Sequence, residues 1–332
     1  MKILITGGTG FIGSHLAESL IKQKFKVRAL VRKYENDCRK NLGLLKKLNV
    51  EVVYGDLLDI NSLKKAVKGI DLIFHLAAIA RPMAIPNNLY FKINKEGTRN
   101  LLEVCKKNKK IRKIIIMSSV SAVGPTRDGK PVNEKTKCGP VDVYGLSKLA
   151  EEKIAEKYIQ EYKMPIVILR PPMVFGPRDF EMLRLFRFMN MGFFPIRGNE
   201  KCMEFLYVGN LVEACNLAAK YGRAGEKYHI TNGQHYSIND IIRTTEKVQA
   251  RKILPIVFPK WSISLAGIFL ETIGKIFNFY PPFRHDTTVW MTKKFWYSDD
   301  SKAKKELKYK PIYSLEEGIR NTIGWYKAEH LA

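Results

Sequence analysis

Short apolar runs alternate with longer amphipathic stretches through the first half of the chain. Residues 2–6 are apolar and β-prone, and residues 11–23 repeat apolar side chains at the spacing of one helix face. The same alternation predicts strands at 2–6, 26–31, 50–54, 71–75, 113–117 and 166–169, and helices at 11–23, 60–67, 93–107 and 143–162. Strands that alternate with helices predict an α/β fold, in which a doubly wound parallel sheet has helices on both faces.

The pattern changes after Arg170. Prolines and glycines interrupt aromatic and basic segments in the residues that follow, where the regular alternation stops. A strand and a helix at 205–220 and a strand at 227–231 predict a return to the sheet. We therefore expect a main domain of residues 1–170 together with about 205–232. The other residues, 171–204 and 233–332, are expected to form a smaller C-terminal lobe.

The composition is that of a globular protein, because 332 residues with 45% hydrophobic side chains can bury a full core. The chain begins with a strand and a glycine turn, which differs from a basic stretch followed by an apolar signal core. Its five cysteines include no CxxC pair and are odd in number, so neither a disulfide framework nor a zinc site is indicated. We expect a cytoplasmic protein without a metal site.

The sequence is strongly basic, with 57 lysines and arginines, 32 acidic residues and a formal charge of +25. Such a surface attracts nucleic acids, anionic lipids and phosphorylated ligands. The lysines are spread along the whole chain, without the interleaved aromatic side chains of a nucleic-acid platform. A solvated lysine-rich surface is the favoured interpretation, and a nucleic-acid partner is not expected.

Three glycines mark the turn after the first predicted strand. Gly7, Gly10 and Gly13 lie between this strand and the helix that begins near Phe11. In a Rossmann-type fold the first glycine permits a tight turn, the second lets the backbone approach a pyrophosphate, and the third allows close helix packing. The helix N-terminus, with Phe11 and Ile12 in its first turn, adds N–H donors and a positive dipole end. This context predicts a dinucleotide site, although such glycines can also serve only as a turn.

The end of the second predicted strand bears on which dinucleotide binds. An NAD site usually has a carboxylate there for the ribose 2′-hydroxyl, whereas a 2′-phosphate requires a positive charge. The strand ends Val31-Arg32-Lys33, so NADP is favoured, NAD is the alternative, and Arg32 is the expected phosphate ligand. Arg32 could instead point to solvent or stack on adenine. Asp56, beyond the third strand, could accept a hydrogen bond from the adenine amino group or cap a helix.

Tyr144 and Lys148 are four residues apart in a predicted helix, so their side chains lie on one face. A lysine ammonium stabilises a neighbouring phenolate and lowers the tyrosine pKa, which makes Tyr144 a candidate acid and base. This spacing alone is common on helix surfaces. Ser118 and Ser119 favour a catalytic interpretation, because they follow an apolar strand at the edge where open α/β sheets bind ligands. Ser119 is expected to hydrogen-bond the substrate oxygen.

Several segments occur in an order and spacing typical of one enzyme family. They are Thr6-Gly7-Gly8-Thr9-Gly10-Phe11-Ile12-Gly13, Gly55-Asp56-Leu57, His75-Leu76-Ala77-Ala78, Asn94-Lys95-Glu96-Gly97-Thr98, Ser118-Ser119, Tyr144-Gly145-Leu146-Ser147-Lys148 and Arg170-Pro171-Pro172-Met173-Val174-Phe175-Gly176-Pro177. By these segments the chain resembles the extended short-chain dehydrogenases/reductases over essentially its whole length. The resemblance implies a nicotinamide-dependent enzyme with Ser119, Tyr144 and Lys148 as its catalytic group, in which Lys148 also binds the nicotinamide ribose. The further cofactor contacts that it implies are Leu57, Ala77, Ala78, Asn94, Ser118, Pro171 and Val174.

The expected substrate region departs from that of the sugar-nucleotide members of this family. Those members carry an arginine in an Arg-Asp-Phe run, where this sequence has Met203 before Glu204 and Phe205. A second arginine usually precedes an Asp-Ser-Lys run, and residues 293–298 contain none. The loss of two bidentate phosphate ligands disfavours a nucleotide-sugar, although Arg197 or nearby lysines could compensate.

An apolar insertion at 261–283 and the run Gly176-Pro177-Arg178-Asp179 resemble the 3β-hydroxysteroid and sterol dehydrogenase branch. We therefore expect an oxidoreductase that interconverts a hydroxyl and a ketone on an apolar ring substrate of the sterol, steroid or terpenoid type. Arg81, Met173 and Arg197 are the candidate substrate contacts. The alternatives are a sugar-nucleotide epimerase or dehydratase and a non-catalytic redox-sensing protein.

Two expectations concern contacts beyond the substrate. Residues 261–283 could form a lid over an apolar substrate, a peripheral membrane anchor or part of the lobe core. The resemblance also implies a homodimer, in which the helices predicted at 93–107 and 143–162 pack against their copies.

Overall fold

The computed structural model describes residues 1–33, 39–80, 85–126, 129–196, 202–259, 262, 265, 268–270, 272–273, 277 and 296–331. Strands β1 to β13 lie at Lys2–Thr6, Lys26–Val31, Glu51–Tyr54, Leu72–His75, Lys113–Met117, Ile166–Arg170, Met173–Phe175, Phe193–Ile196, Cys202–Met203, Phe205–Tyr207, Lys227–His229, Tyr236–Ser237 and Leu254–Val257. Helices α1 to α10 lie at Phe11–Lys22, Arg39–Lys47, Ile60–Val67, Asn87–Tyr90, Gly97–Cys105, Val143–Tyr162, Phe180–Asn190, Val208–Tyr221, Ile238–Gln249 and Leu315–Ala328. A π-helical segment, Phe91–Glu96, joins α4 to α5.

The central sheet has seven parallel strands in the order β3-β2-β1-β4-β5-β6-β11. This order confirms the predicted doubly wound α/β fold, and the strands differ from the predicted ones by at most two residues at either end. The strands β2 and β3 lie on one side of β1, and β4 and the strands after it lie on the other side, so the strand order switches between β1 and β4. Open α/β sheets bind ligands at such a switch point, beyond the carboxyl ends of the strands.

Alternate side chains of the strands enter two apolar layers, one on each face of the sheet. In β1, Ile3 and Ile5 join one layer and Leu4 joins the other. The first layer contains side chains of α1 and α8, and the second contains side chains of α3, α5 and α6. Because both faces are covered, the strands appear in the sequence as nearly continuous apolar runs.

The first apolar layer continues into the C-terminal lobe. Phe186 of α7, Ile241 of α9 and Ile319 of α10 belong to the same cluster of buried side chains as Ile5 of β1. Helices α7, α9 and α10 therefore pack on the sheet through a shared core. The predicted division of the chain into a main domain and a lobe stays a prediction.

The predicted return to the sheet is made by β11, which pairs with β6 at the sheet edge. β10 pairs instead with β7 in a separate two-stranded sheet, so the first strand of the returning segment lies outside the central sheet. Aromatic packing favours this pairing, because the ring of Phe175 in β7 contacts those of Phe205 and Tyr207 in β10.

The sequence pattern did not resolve helices α2, α7, α9 and α10 individually. The starts of α9 and α10 nevertheless carry a local signal, a capping box made by Ser237 with Asp240 and by Ser314 with Glu317. Within the described part of the chain, no helix combines the length and the apolar character that crossing a membrane requires.

A buried ion pair joins α6 to the end of β6. Arg170 donates to both carboxylate oxygens of Glu152, at 2.9 and 2.6 Å, and both side chains are at most 1% exposed. Ser118 donates to the same carboxylate at 2.5 Å, and the Lys227 ammonium lies 3.4 Å from it. Arg170 and Lys227 hold the pKa of Glu152 below its ordinary value against the opposing effect of burial. This carboxylate therefore ties α6 to β5, β6 and β11.

Replacement of Arg170 by methionine should lower the free energy of unfolding by about 3–5 kcal/mol, because it leaves Glu152 buried without its main partner. Denaturant unfolding followed by circular dichroism measures this loss. The matched control is Arg320→Met, which removes an exposed pair with Glu316 and should cost less than about 1 kcal/mol. Equal losses of unfolding free energy in the two variants would show that the buried pair stabilises the fold no more than the exposed pair does.

Candidate active site

The glycine turn after β1 is closely packed. Gly7 has a φ of +75°, and a Cβ atom there would lie 2.8 Å from the backbone nitrogen of Ala77. A Cβ atom at Gly13 would lie 2.1 Å from the carbonyl oxygen of Gly7. The first turn of α1 can therefore approach the β1 turn this closely only with glycine at position 13.

The arrangement of this turn fits a dinucleotide pyrophosphate. Gly10 is the N-cap of α1 and has no side chain that could occupy the helix N-terminus. The N–H groups of the first turn, which includes Phe11 and Ile12, are thus presented at the switch point of the sheet together with the positive end of the helix dipole. The side chain of Asn41 donates to the carbonyl of Thr9 at 2.9 Å and holds the turn from the other side.

The residues expected near the adenosine half lie at neighbouring strand ends. Arg32 is exposed directly after β2. Asp56 follows β3, and its carboxylate accepts from the N–H of Leu58 at 2.8 Å, while Asp59 is the residue that caps α3. Leu57 is buried beside Gly97. The cap alternative for Asp56 is thus excluded, and its carboxylate stabilises a local turn.

The loop after β4 is fixed against β1 and the π-helical segment. The N–H of Ala77 donates to the hydroxyl of Thr6 at 3.2 Å. Buried Asn94 accepts from the N–H of Ile79 at 2.8 Å and donates to its carbonyl at 3.0 Å. Asn94 also donates to Ser147 in α6 at 2.8 Å. Asn94 thus holds the loop that contains Ala77 and Ala78. Its side-chain hydrogen bonds are all made to other groups of the protein.

Helix α6 brings Tyr144 to Ser119. Asp142 caps the helix by accepting from the N–H of Gly145 at 2.6 Å, which places Tyr144 in the first turn. A Cβ atom at Gly145 would lie 2.3 Å from the carbonyl oxygen of Ser121, so glycine allows α6 to approach the segment after β5. The side chain of Ser119 is close enough to Tyr144 to lower the pKa of its hydroxyl.

The pKa of Tyr144 lies above its ordinary value. Burial is the main cause, the nearby Ser119 side chain opposes the rise, and the charges of Glu151 and Asp142 add to it. Lys148 is 1% exposed one turn further along α6. Ammonium groups and hydrogen-bond donors near a tyrosine favour its phenolate, and the site has one group of each kind, Lys148 and Ser119.

The two neighbouring serines face different partners. Ser119 lies with Tyr144, and its side chain also accepts from the N–H of Ser121 at 3.1 Å. The hydroxyl of Ser118, which was expected near the cofactor, donates to the buried Glu152. Ser118 therefore takes part in the buried ion-pair cluster.

Sequence reasoning missed a buried polar chain that ends at Lys148. His75 contacts Thr6 at 2.7 Å and Thr98 at 2.8 Å, and Thr98 donates to Glu151 at 3.1 Å. Glu151 in turn forms an ion pair with Lys148. A signal was present in the sequence, because positions 144, 148 and 151 share one helix face.

The expected substrate contacts are only partly described. Met173 of β7 is partly exposed. The neighbouring expected cofactor contacts are Pro171, which is buried after β6, and Val174, which is partly exposed. Arg81 and Arg197 lie outside the described residues, as does most of the segment 261–283. In the described part of that segment, Leu265, Phe269 and Phe277 are 56%, 64% and 72% exposed.

The chain resembles several characterised and uncharacterised proteins over nearly its whole length. An uncharacterized UDP-glucose epimerase of Bacillus subtilis (strain 168) is 29% identical over 340 residues, covering 98% of this chain and 98% of that protein. The decarboxylating sterol-4-alpha-carboxylate 3-dehydrogenase of Mus musculus is 26% identical over 342 residues, covering 97% of this chain and 90% of that protein. The crystal structure of UDP-glucuronic acid 4-epimerase from Bacillus cereus, in complex with UDP-glucuronic acid and NAD, has a TM-score of 0.81 at 28% identity and covers 99% of this chain and 100% of that one.

A family model described as the NAD dependent epimerase/dehydratase family matches residues 3–233, which is more than half of the sequence. The matched range includes the glycine turn, the loop after β4, Ser119 and the Tyr144–Lys148 pair. The chain therefore belongs to the NAD-dependent epimerase/dehydratase family and is an NAD(P)-dependent enzyme of the extended short-chain dehydrogenase/reductase type.

Proposed function

We propose that the protein interconverts a secondary alcohol and a ketone by hydride transfer, with Ser119, Tyr144 and Lys148 as its catalytic group. The observation that carries this proposal is the placement of Tyr144 in the first turn of α6, where the Ser119 side chain is close enough to lower its pKa, one helical turn from the buried Lys148. The group lies after β5, one strand from the loop after β4 that packs against the glycine turn. A substrate carbon at this edge would lie between the dinucleotide and the acid-base side chain.

Each residue has a separate role in this proposal. The nicotinamide accepts or supplies the hydride. Tyr144 takes the proton of the alcohol, or returns it to the ketone, and Ser119 orients the reacting oxygen. Lys148 stabilises the phenolate electrostatically, and it has further N–H donors for the nicotinamide ribose.

NADP is the proposed cofactor, with NAD as the alternative. Arg32 supports NADP, because it follows β2, where an NAD site usually has a carboxylate. The UDP-glucuronic acid 4-epimerase of Bacillus cereus was solved with NAD, which supports the alternative.

The proposed substrate is an apolar ring molecule of the sterol, steroid or terpenoid type. Leu265, Phe269 and Phe277 support it, because large apolar side chains that are mostly exposed gain stability when an apolar ligand covers them. The similarity to the mouse sterol-4-alpha-carboxylate dehydrogenase agrees with this class. A lid is accordingly the proposed role of residues 261–283, and a peripheral contact with a membrane is the alternative.

A nucleotide-sugar epimerase or dehydratase is the second candidate. The relatives from Bacillus subtilis and Bacillus cereus favour it, since both are described as epimerases of UDP-sugars. Such an enzyme would regenerate its dinucleotide within each turnover, whereas a dehydrogenase accumulates the reduced or oxidised form.

Replacement of Gly13 by alanine should weaken dinucleotide binding about 100-fold, because the added methyl group forces α1 away from the β1 turn. Titration of the purified protein with NADPH, followed by fluorescence, measures the dissociation constant. The control is Gly324→Ala in α10, where a Cβ atom meets nothing within 4 Å. An unchanged dissociation constant in a folded Gly13 variant would contradict the proposed cofactor site.

Tyr144→Phe should lower kcat by about 100- to 10,000-fold and leave dinucleotide binding intact, because it removes only the acid-base hydroxyl. Nicotinamide absorbance is followed with NADP and NAD against hydroxysteroids or terpenoid alcohols in one panel and nucleotide-sugars in the other. Turnover of the apolar panel that is lost in the variant supports the dehydrogenase. Conversion of a nucleotide-sugar without net absorbance change, with cofactor retained through purification, would favour the epimerase instead.

The chain is also proposed to form a homodimer through the faces of α5 and α6 that do not contact the sheet. These helices pack on each other, and Tyr158 of α6 donates to Glu103 of α5 at 2.7 Å. Sedimentation velocity should give a species of twice 38.2 kDa at micromolar concentration. A profile that contains only the monomer would refute this proposal.

A further inference from the structure

Glu151 is a buried carboxylate to which the proposed hydride transfer assigns no role. It lies three residues after Lys148 on α6, and each of the two side chains is 1% exposed. Burying a charge is costly unless a partner is present, and the ion pair with Lys148 supplies one. Tyr144, Lys148 and Glu151 lie on one face of α6, so the carboxylate belongs to the immediate surroundings of the acid-base group.

The groups around Glu151 come from α5, from β4 and from α6 itself. The Thr98 hydroxyl of α5 lies 3.1 Å from it and shares its one hydrogen with the Asn94 carbonyl at 2.6 Å, and His75 at the end of β4 lies 3.8 Å from it. Burial and the charge of Lys148 lower the pKa of His75 to about 3, so this ring is neutral near pH 7. Glu152, the next residue on α6, is paired with Arg170. Lys148 is therefore the cation that compensates Glu151 among these neighbours.

A chain of hydrogen bonds fixes this carboxylate relative to the cofactor cleft. The N–H of Ala77 donates to Thr6, whose hydroxyl contacts one ring nitrogen of His75, and the other ring nitrogen contacts Thr98. The Thr6 hydroxyl accepts from Ala77 and still has its own hydrogen to donate to one ring nitrogen of His75. The other ring nitrogen then carries a hydrogen that it can donate to Thr98. This series of hydrogen bonds runs from the loop beside the glycine turn to Glu151.

We propose that Glu151 is a positioning residue that holds the Lys148 ammonium beside Tyr144 and, through its charge, sets the pH at which Tyr144 exchanges its proton. This inference rests on the proposed hydride transfer. An ammonium has three N–H donors, so one bond to Glu151 leaves two for the nicotinamide ribose and the phenolate side. The carboxylate offsets part of the positive charge that Tyr144 experiences.

The direction of the effect follows from the sign of the charges. The negative charge of Glu151 raises the pKa of Tyr144, since it disfavours a second negative charge nearby. Burial raises the pKa of Glu151 itself, and both Lys148 and the hydrogen bond from Thr98 oppose that rise. Removing the charge at position 151 would leave the Lys148 ammonium uncompensated and would lower the pKa of Tyr144.

Glu151→Gln tests the proposal, because it keeps the shape of the side chain and an oxygen for Lys148. In the oxidation direction, the rising limb of the pH profile of kcat should move about one pH unit toward acid. Glu151→Asp, which retains the charge, should restore most of the wild-type limb. Glu161→Gln is the matched control, since Glu161 lies on the same helix, is 48% exposed and pairs with Lys157. In this variant the rising limb of the pH profile of kcat should not move.

A second measurement separates this inference from the proposed function. The protein is labelled with [13Cζ]tyrosine, saturated with NADP or NAD, and titrated by NMR, with the Tyr144 resonance assigned from Tyr144→Phe. An acid shift of that resonance in Glu151→Gln supports the inference even when neither substrate panel is turned over. An unshifted resonance and an unshifted limb would overturn it and leave Glu151 a purely structural group.

Thr98→Val keeps the inference testable if Glu151→Gln does not fold. Valine has nearly the shape of threonine but removes the hydroxyl whose hydrogen is shared between the Glu151 carboxylate and the Asn94 carbonyl. The fraction of ionised Glu151 then falls, so the Tyr144 titration should move in the same direction by a smaller amount. No movement in a folded Thr98 variant would count against the proposal.

Discussion

Helix α6 carries three charged side chains, Lys148, Glu151 and Glu152, into the interior, and the active-site geometry depends on how these charges are compensated. An unpaired buried charge costs several kcal/mol, so each of the three must meet a partner. Glu152 meets Arg170 at the end of β6, and Glu151 meets Lys148 and Thr98. These contacts fix α6 against the sheet and α5. The position of Tyr144 relative to Ser119 follows from them.

The same charges govern the proposed acid-base chemistry. Burial alone would keep Tyr144 protonated far above neutral pH, and the Ser119 side chain opposes this effect. The Lys148 ammonium is the second group proposed to oppose it. Glu151 weakens the second of these effects. A site of this kind gains its reactivity when the cofactor adds positive charge, so the proton exchange and the dinucleotide are physically coupled.

The part of the protein that holds the dinucleotide is built on requirements that are independent of the substrate. A tight turn, an uncapped helix N-terminus and the close approach of Gly13 to Gly7 serve any pyrophosphate. This independence explains why the chain is similar both to a sterol dehydrogenase and to epimerases of UDP-sugars. Helices α7, α9 and α10, which belong to the predicted substrate lobe, pack on the sheet through the same apolar layer as α1 and α8.

The sequence by itself determined the order of strands and helices, the glycine turn and the Tyr144–Lys148 spacing. These features depend on local periodicity and on which residues permit a turn, so a linear pattern contains them. The pairing of β10 with β7 and the contact of Ser118 with Glu152 were decided only by the tertiary structure. The tertiary structure also decided the series of hydrogen bonds that runs from Thr6 through His75 and Thr98 to Glu151. Buried polar groups find their partners across elements that lie far apart in the sequence, and no local pattern specifies which partner each will meet.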